Sequence, residues 1–208
     1  MKFRTDFVTN SSSSSYCVSF RVNLIDNKTI WFQPEDEESY AHVPLNISVG
    51  ELTGRIKDCK KIEELRQLLL DEWDLSKLSE YDDEDEYDDE NSSSNVLEEY
   101  EEFKEKLDSI RDISDVESVT ISEMYSGWGE CATEGIRNFI FDAIPEKLDW
   151  NDEDAVFEAL EDRFSTDEIE LLIKEMQDSF ICSFDASIDT KIRLSDGTIT
   201  NTYSFEER

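Results

Sequence analysis

The side chains of this sequence best equipped for chemistry gather in one stretch, Glu123 to Glu134. Gly127-x-Gly129-x-x-Ala132 follows a strand-like segment and precedes a helix-like one, in the manner of a dinucleotide-binding turn, and Asp149 lies about twenty residues further on. The residues in between oppose that use. Glu130 would set a carboxylate beside the pyrophosphate, against the helix dipole and amides that hold such a group. A tight turn in which Trp128 packs on a sheet accounts better for the glycines, and no cofactor is expected. Cys131 falls near the start of a helix beginning about Thr133, where the dipole lowers a thiol pKa, and His42 is the one imidazole available to pair with it. Glu130 and Glu134 flank that cysteine and push its pKa back up, which favours a structural thiol there and a loop or partly buried role for His42. Carboxylates supply general acid and base chemistry, and Glu123, Glu130 and Glu134 around Tyr125 and Trp128 are the set best placed to line a cleft.

Charge decides which partners are open to the chain. Lys and Arg number 20 against 53 Asp and Glu, giving a formal net charge of -33 in 208 residues. The densest run, Asp82, Asp83, Glu84, Asp85, Glu86, Asp88, Asp89 and Glu90, holds only a minority of the acids, so the acidity is global. Such a surface repels nucleic-acid phosphate and anionic lipid and attracts basic faces. The expected partner is therefore a basic protein, with no direct nucleic-acid binding and no membrane association, and the acidic run is its candidate contact. That run lacks the Asp-x-Asp-x-Asp-Gly pattern with a following Glu that an EF-hand calcium loop needs. No stretch approaches the roughly 18 consecutive apolar residues of a membrane span. Polar residues Thr9 to Ser15 stand where a signal peptide would be hydrophobic, so a cytoplasmic protein is expected. Cys17, Cys59, Cys131 and Cys182 lie far apart with no CxxC, the pattern of reduced, buried thiols rather than of a disulfide framework or zinc site.

The elements that must position these residues follow from periodicity. Tyr16, Val18, Phe20, Val22 and Leu24 alternate with polar residues, Asp26-Asn27-Lys28 is turn-like, and Ile30-Trp31-Phe32 returns, which predicts a β-hairpin. Ile62, Leu65, Leu68, Leu69 and Trp73, and later Leu97, Tyr100, Phe103, Leu107 and Ile110, recur at helical spacing. Between these helices the acidic and serine-rich stretch 76–95 buries too little apolar surface to offset its ordering entropy and reads as a mobile linker. Glu117 to Met124 has the β-branched content of a strand, broken by Gly127-Trp128-Gly129, and Ile136, Phe139, Ile140 and Ile144 form a helical stripe. Val156, Phe157, Leu160 and Phe164 mark a further helix, and Ser165-x-x-Glu168 has capping-box spacing ahead of another. Phe180 to Leu194 alternates, Asp196-Gly197 turns the chain, and Ile199, Tyr203 and Phe205 complete a terminal hairpin. Hairpins at both ends with helices between them predict an α+β fold, a mainly antiparallel sheet with amphipathic helices on one face, in a single domain over 16–208 behind a polar leader at 1–15.

That leader is unusually ordered as a string. After Arg4-Thr5-Asp6 come Phe7, Val8, Thr9 and Asn10, then Ser11, Ser12, Ser13, Ser14 and Ser15, then Tyr16. It resembles the opening shared by a group of uncharacterised bacterial proteins, in which a Lys/Arg-containing start leads to Phe-Val-Thr/Ser-Asn, a run of serines and an aromatic residue. The resemblance spans about the first sixteen residues; it implies a bacterial origin and brings no agreed activity with it. The serines themselves fit a solvated loop, an anion-cradling loop before a strand, or a modified segment that a partner recognises.

These observations converge on a non-enzymatic interaction protein that binds a basic partner. Two alternatives stand beside it. One is a nucleic-acid mimic of phage or mobile-element origin that inhibits a DNA-binding protein, its carboxylates Glu98, Glu99, Glu101, Glu102 and Glu105 arrayed on one helix. The other is an enzyme centred on the 127–134 turn, with Glu130, Cys131 and His42 as its chemistry.

Overall fold

The computed structural model describes residues 14–33, 45–73, 92–128, 132–144, 153–169, 172 and 183–207. Alternation produces the first hairpin as expected. β1 (Ser14–Leu24) and β2 (Thr29–Phe32) pair antiparallel, with Phe20 opposite Phe32 and Val22 opposite Ile30. Asn27 makes the turn at φ 64°, a conformation asparagine tolerates better than most residues, and the Asp26 carboxylate accepts from the Lys28 amide at 3.2 Å. β1 takes in Ser14 and Ser15, so the polar leader ends two residues earlier than its composition suggests.

Three helices follow. α1 (Val49–Asp58) starts at Ser48, whose hydroxyl accepts from the Glu51 amide at 3.2 Å. In α2 (Ile62–Asp71) the Glu64 carboxylate reaches back to the amides of Lys60 and Lys61 at 2.9 and 3.2 Å. α3 (Ser92–Asp108) begins inside the expected 76–95 linker, at a serine, a residue type that favours helix starts. Residues 74–91 of that linker, including Asp82 to Glu90, lie outside the described residues.

Next come β3 (Val116–Trp128), α4 (Ala132–Ala143), α5 (Glu153–Glu161), β4 (Ser183–Arg193) and β5 (Ile199–Glu207). β3 continues through Gly127 and Trp128 rather than breaking there. The capping box after α5 forms as its spacing predicts: Glu168 accepts from the Ser165 amide at 2.7 Å and the Glu168 amide donates to the Ser165 hydroxyl at 3.4 Å. Gly197 takes φ 70° in the final turn. Among the described residues the strands form one antiparallel sheet in the order β2-β1-β3-β4-β5, an α+β architecture.

By its internal contacts the chain divides into two compact units. One is built on Cys17–Ser122 with Asp189–Asn201, the other on Glu123–Ile188 and Thr202–Arg208 together with Tyr16. The first has an aromatic centre: Phe32 stacks on Phe103 at 5.1 Å and meets Trp73 edge-on at 5.3 Å, with Phe20 4.9 Å from Trp73. Leu52, Ile56, Leu65, Leu69 and Leu107 from the three helices are fully buried in this unit. Leu97, at the head of the expected α3 stripe, remains 46% exposed; the stripe engages from Tyr100, whose hydroxyl donates to the Leu70 carbonyl at 3.1 Å. In the second unit Ile136, Phe139 and Ile140 of α4 and Leu160 of α5 pack with Phe164, Phe184, Ile188 and Phe205.

Candidate functional site

β3 alternates, and one of its rows reads Val119, Ile121, Glu123, Tyr125. Val119, Ile121 and Tyr125 are buried, so Glu123 is a carboxylate in an apolar row and must find partners there. β1 and α4 supply them, all within the second unit. Tyr16 of β1 donates to Glu123 Oε2 at 2.8 Å. The hydroxyl of Tyr125 lies 3.3 Å from the same oxygen and donates to Asp142 Oδ2 of α4 at 3.0 Å. The phenol rings of Tyr16 and Tyr125 sit 5.0 Å apart at 54°, and Tyr125 meets Phe139 edge-on at 5.6 Å, which fixes the hydroxyls at the edge of the core.

Electrostatics follow from that setting. Burial pushes the carboxyl of Glu123 up to about 7; the neighbouring Asp142 carboxylate adds to the rise, and hydrogen bonds from Tyr16 and Tyr125 oppose it. Burial, with the charge of Glu123 behind it, also raises the phenol of Tyr125 far above its ordinary value, so it stays a donor at any physiological pH. The arrangement can hold and exchange a proton. Among the described residues no three His, Cys, Asp or Glu side chains converge as metal ligands would.

Of the cleft set expected from sequence, Glu123 and Tyr125 do come together. Glu130, Cys131 and His42 lie outside the described residues, as do Phe7, Val8, Thr9, Asn10, Ser11, Ser12 and Ser13. Tyr16, singled out as the aromatic end of the amino-terminal motif, is the donor that grips Glu123. Asp142 was missed, although its place three residues after Phe139 puts it on the flank of the buried face of α4. The two described cysteines, Cys17 and Cys59, are buried free thiols.

A second feature lies in the first unit. α3 turns Phe103 and Leu107 inward and leaves Glu98, Glu99, Glu101, Glu102 and Glu105 exposed. Glu98, Glu101, Glu102 and Glu105 follow i, i+3, i+4, i+7 spacing, a stripe along one face that spans about 10.5 Å of rise. Lys104 and Lys106 partly offset this row, pairing with Glu101 at 3.0 Å and Glu102 at 2.8 Å. Among the described residues no helix is long and apolar enough to cross a membrane.

The fold thus defines an α+β protein with an acidic helix on one unit and a proton-holding cluster in the other. No family model matches the chain, and no curated protein or solved structure matches it.

Proposed function

We propose that this chain is a non-enzymatic, cytoplasmic bacterial protein that captures a basic protein partner. The observation that carries the reading is α3, an ordered helix with an exposed row of carboxylates on a chain of net charge -33. Long-range attraction from such a surface speeds encounter, and short-range pairing with Lys or Arg on the partner fixes the register. The acidic run Asp82 to Glu90 precedes α3 directly in the sequence and adds to the same field. The stripe of carboxylates along one face of α3 also supports a narrower reading, in which the partner is a DNA-binding protein and the carboxylates stand in for phosphates.

The test is an affinity pull-down with the full chain from a bacterial lysate at low salt, repeated with Glu98, Glu101, Glu102 and Glu105 changed to Gln. A stoichiometric basic protein that elutes by about 0.5 M salt, where screening is strong, and that the four-Gln variant does not retain is the expected result. Capture that survives high salt or is unchanged by the four substitutions refutes it.

A further inference from the structure

The acidic stripe of α3 calls for a basic face, and the chain carries one on the far side of the sheet in the same unit. Phe32 stacks on Phe103 of α3, so Phe20, Val22, Ile30 and Phe32 mark the helix side of the first hairpin. Their alternates Arg21, Asn23, Thr29 and Trp31 stand on the opposite side, with Arg21 directly across from Trp31. β3 and β4 extend this second face. Asn23 Nδ2 donates to Ser118 Oγ at 3.2 Å, which places Ser118 and Thr120 on it. The Leu194 amide donates to the Glu117 carbonyl at 3.3 Å, which sets Arg193 beside Ser118 and Lys191 beside Thr120. One row across the strands therefore reads Trp31, Arg21, Thr120, Lys191. Its composition runs against the rest of a chain in which acids outnumber bases 53 to 20. Trp31 is 51% exposed, Arg21 is exposed and Lys191 half-buried, and among the described residues no carboxylate pairs with either cation. Arg193 lies 3.6 Å from Asp196 in the following turn, and Asp189 is the acid nearest along β4 on this face.

We propose that this face receives α3 of a second copy of the chain. The proposal rests on the reading of α3 as a docking helix and finds the basic face it fits on the chain itself. The two surfaces match in spacing as well as in sign. Strands about 4.8 Å apart put Arg21 one step and Lys191 three steps from Trp31, at about 5 and 14 Å. Along α3, Leu97, Glu101 and Glu105 rise by about 6 and 12 Å, differences that long side chains take up. Leu97, left 46% exposed by its own core, meets Trp31, and the two carboxylates meet Arg21 and Lys191. Arg193 stands beside that row for Glu102. Because α3 lies on the helix side of the sheet and the basic row on the other, a copy cannot satisfy its own stripe. The contact is heterologous and repeats head to tail. A net charge of -33 repels copies at a distance, but at about 0.15 M salt charges act over only about 8 Å, and within that range the facing groups are of opposite sign.

The test is sedimentation velocity on the full chain over a range of concentration, with two variants. One is the four-Gln α3 variant above; the other carries Arg21→Gln and Lys191→Gln. Wild type is expected to show a mass that rises with concentration near 0.15 M salt and to return to monomer at about 1 M, where the reach of a charge is about 3 Å. Each variant alone should stay monomeric, and an equimolar mixture should form a one-to-one dimer that grows no further, since each supplies the surface the other lacks. Should the double substitution disturb the fold, Trp31→Ser, at an exposed edge position, replaces it. Wild type that stays monomeric up to about 1 mM, the weakest affinity of interest, a mixture that stays monomeric, or association unweakened at 1 M salt overturns the proposal. Monomeric wild type that still retains a basic protein through α3 in the pull-down overturns self-docking and leaves the capture reading standing.

Discussion

Arg66→Ala should loosen α3 at its carboxyl end, and the size of the effect can be worked from the contacts made there. The guanidinium donates from Nε to the Leu107 carbonyl at 3.0 Å and from Nη2 to the Asp108 carbonyl at 3.3 Å and to the Ile110 carbonyl. Its Nε also lies 3.8 Å from the Asp108 carboxylate. The Leu107 carbonyl also accepts from the Ile110 amide at 3.1 Å, so the guanidinium adds to the pairing at the helix end, where a cation also meets the negative pole of the helix dipole. A hydrogen bond from a charged donor contributes about 1.5–3 kcal/mol. Three bonds from one group are not additive, so alanine is expected to cost about 3 kcal/mol. Lysine keeps the charge without the planar fork and should recover about half of that. Urea unfolding with an m value of about 2 kcal/mol/M would show alanine as a midpoint lowered by about 1.5 M at constant m. A loss below about 0.5 kcal/mol, the range of an ordinary surface change, or a lysine variant as stable as the wild type, refutes the reasoning.

Three further outcomes are expected. A Cβ at Gly135 would lie 2.8 Å from Phe184 Cζ and 3.0 Å from Cε1, so Gly135→Ala should lower stability by about 1–3 kcal/mol, and Phe184→Leu in the same chain should restore part of it in thermal melts. Burial, assisted by Glu64 and Asp58, pushes the Cys59 thiol up to about 11; alkylation at pH 8 followed by peptide mass analysis should find it protected in the native chain and reactive in urea, and modification at the free-thiol rate would contradict this. Glu123 binds its proton more tightly folded, at about 7 against an ordinary 4.5, so its contribution to stability is full below 4.5 and is lost as pH rises through 7. At about 1.4 kcal/mol per unit the loss is about 3 kcal/mol, read as the change between pH 5 and 8 that wild type shows and Glu123→Gln does not.

Strands were the most legible part of the fold, because a period of two survives whatever the tertiary context. The terminal hairpins follow directly from Phe20 and Val22 against Ile30 and Phe32, and from Asp196-Gly197. α1 was not visible in the same way: Gly50 and Gly54 weaken its propensity, and Val49, Leu52 and Ile56 form a helix because Ser48 caps it and the core receives them. The site was half legible. Alternation places Glu123 in the same row as Val119, Ile121 and Tyr125, and an acid in an apolar row is a signal in itself. Its partners are 107 residues away at Tyr16 and a helix away at Asp142, distances over which no local pattern reports. Leu97 shows the converse, a residue in phase with the α3 stripe that the core never reaches.

The strand order also sets a timetable for synthesis. β3 lies between β1, made about a hundred residues earlier, and β4, made some sixty residues later. A ribosome that has just released β3 holds a chain whose central strand has one neighbour and one open edge, and that edge stays unpaired until residues 183–193 emerge. At roughly 5–20 residues per second the wait lasts several seconds, long enough for edges on neighbouring nascent chains to find each other. By then α3 and the run before it have already left the tunnel, with their carboxylates in water. The acidity proposed above to serve recognition would act earlier as an electrostatic spacer, holding half-made copies on one message apart until the last hairpin closes the sheet.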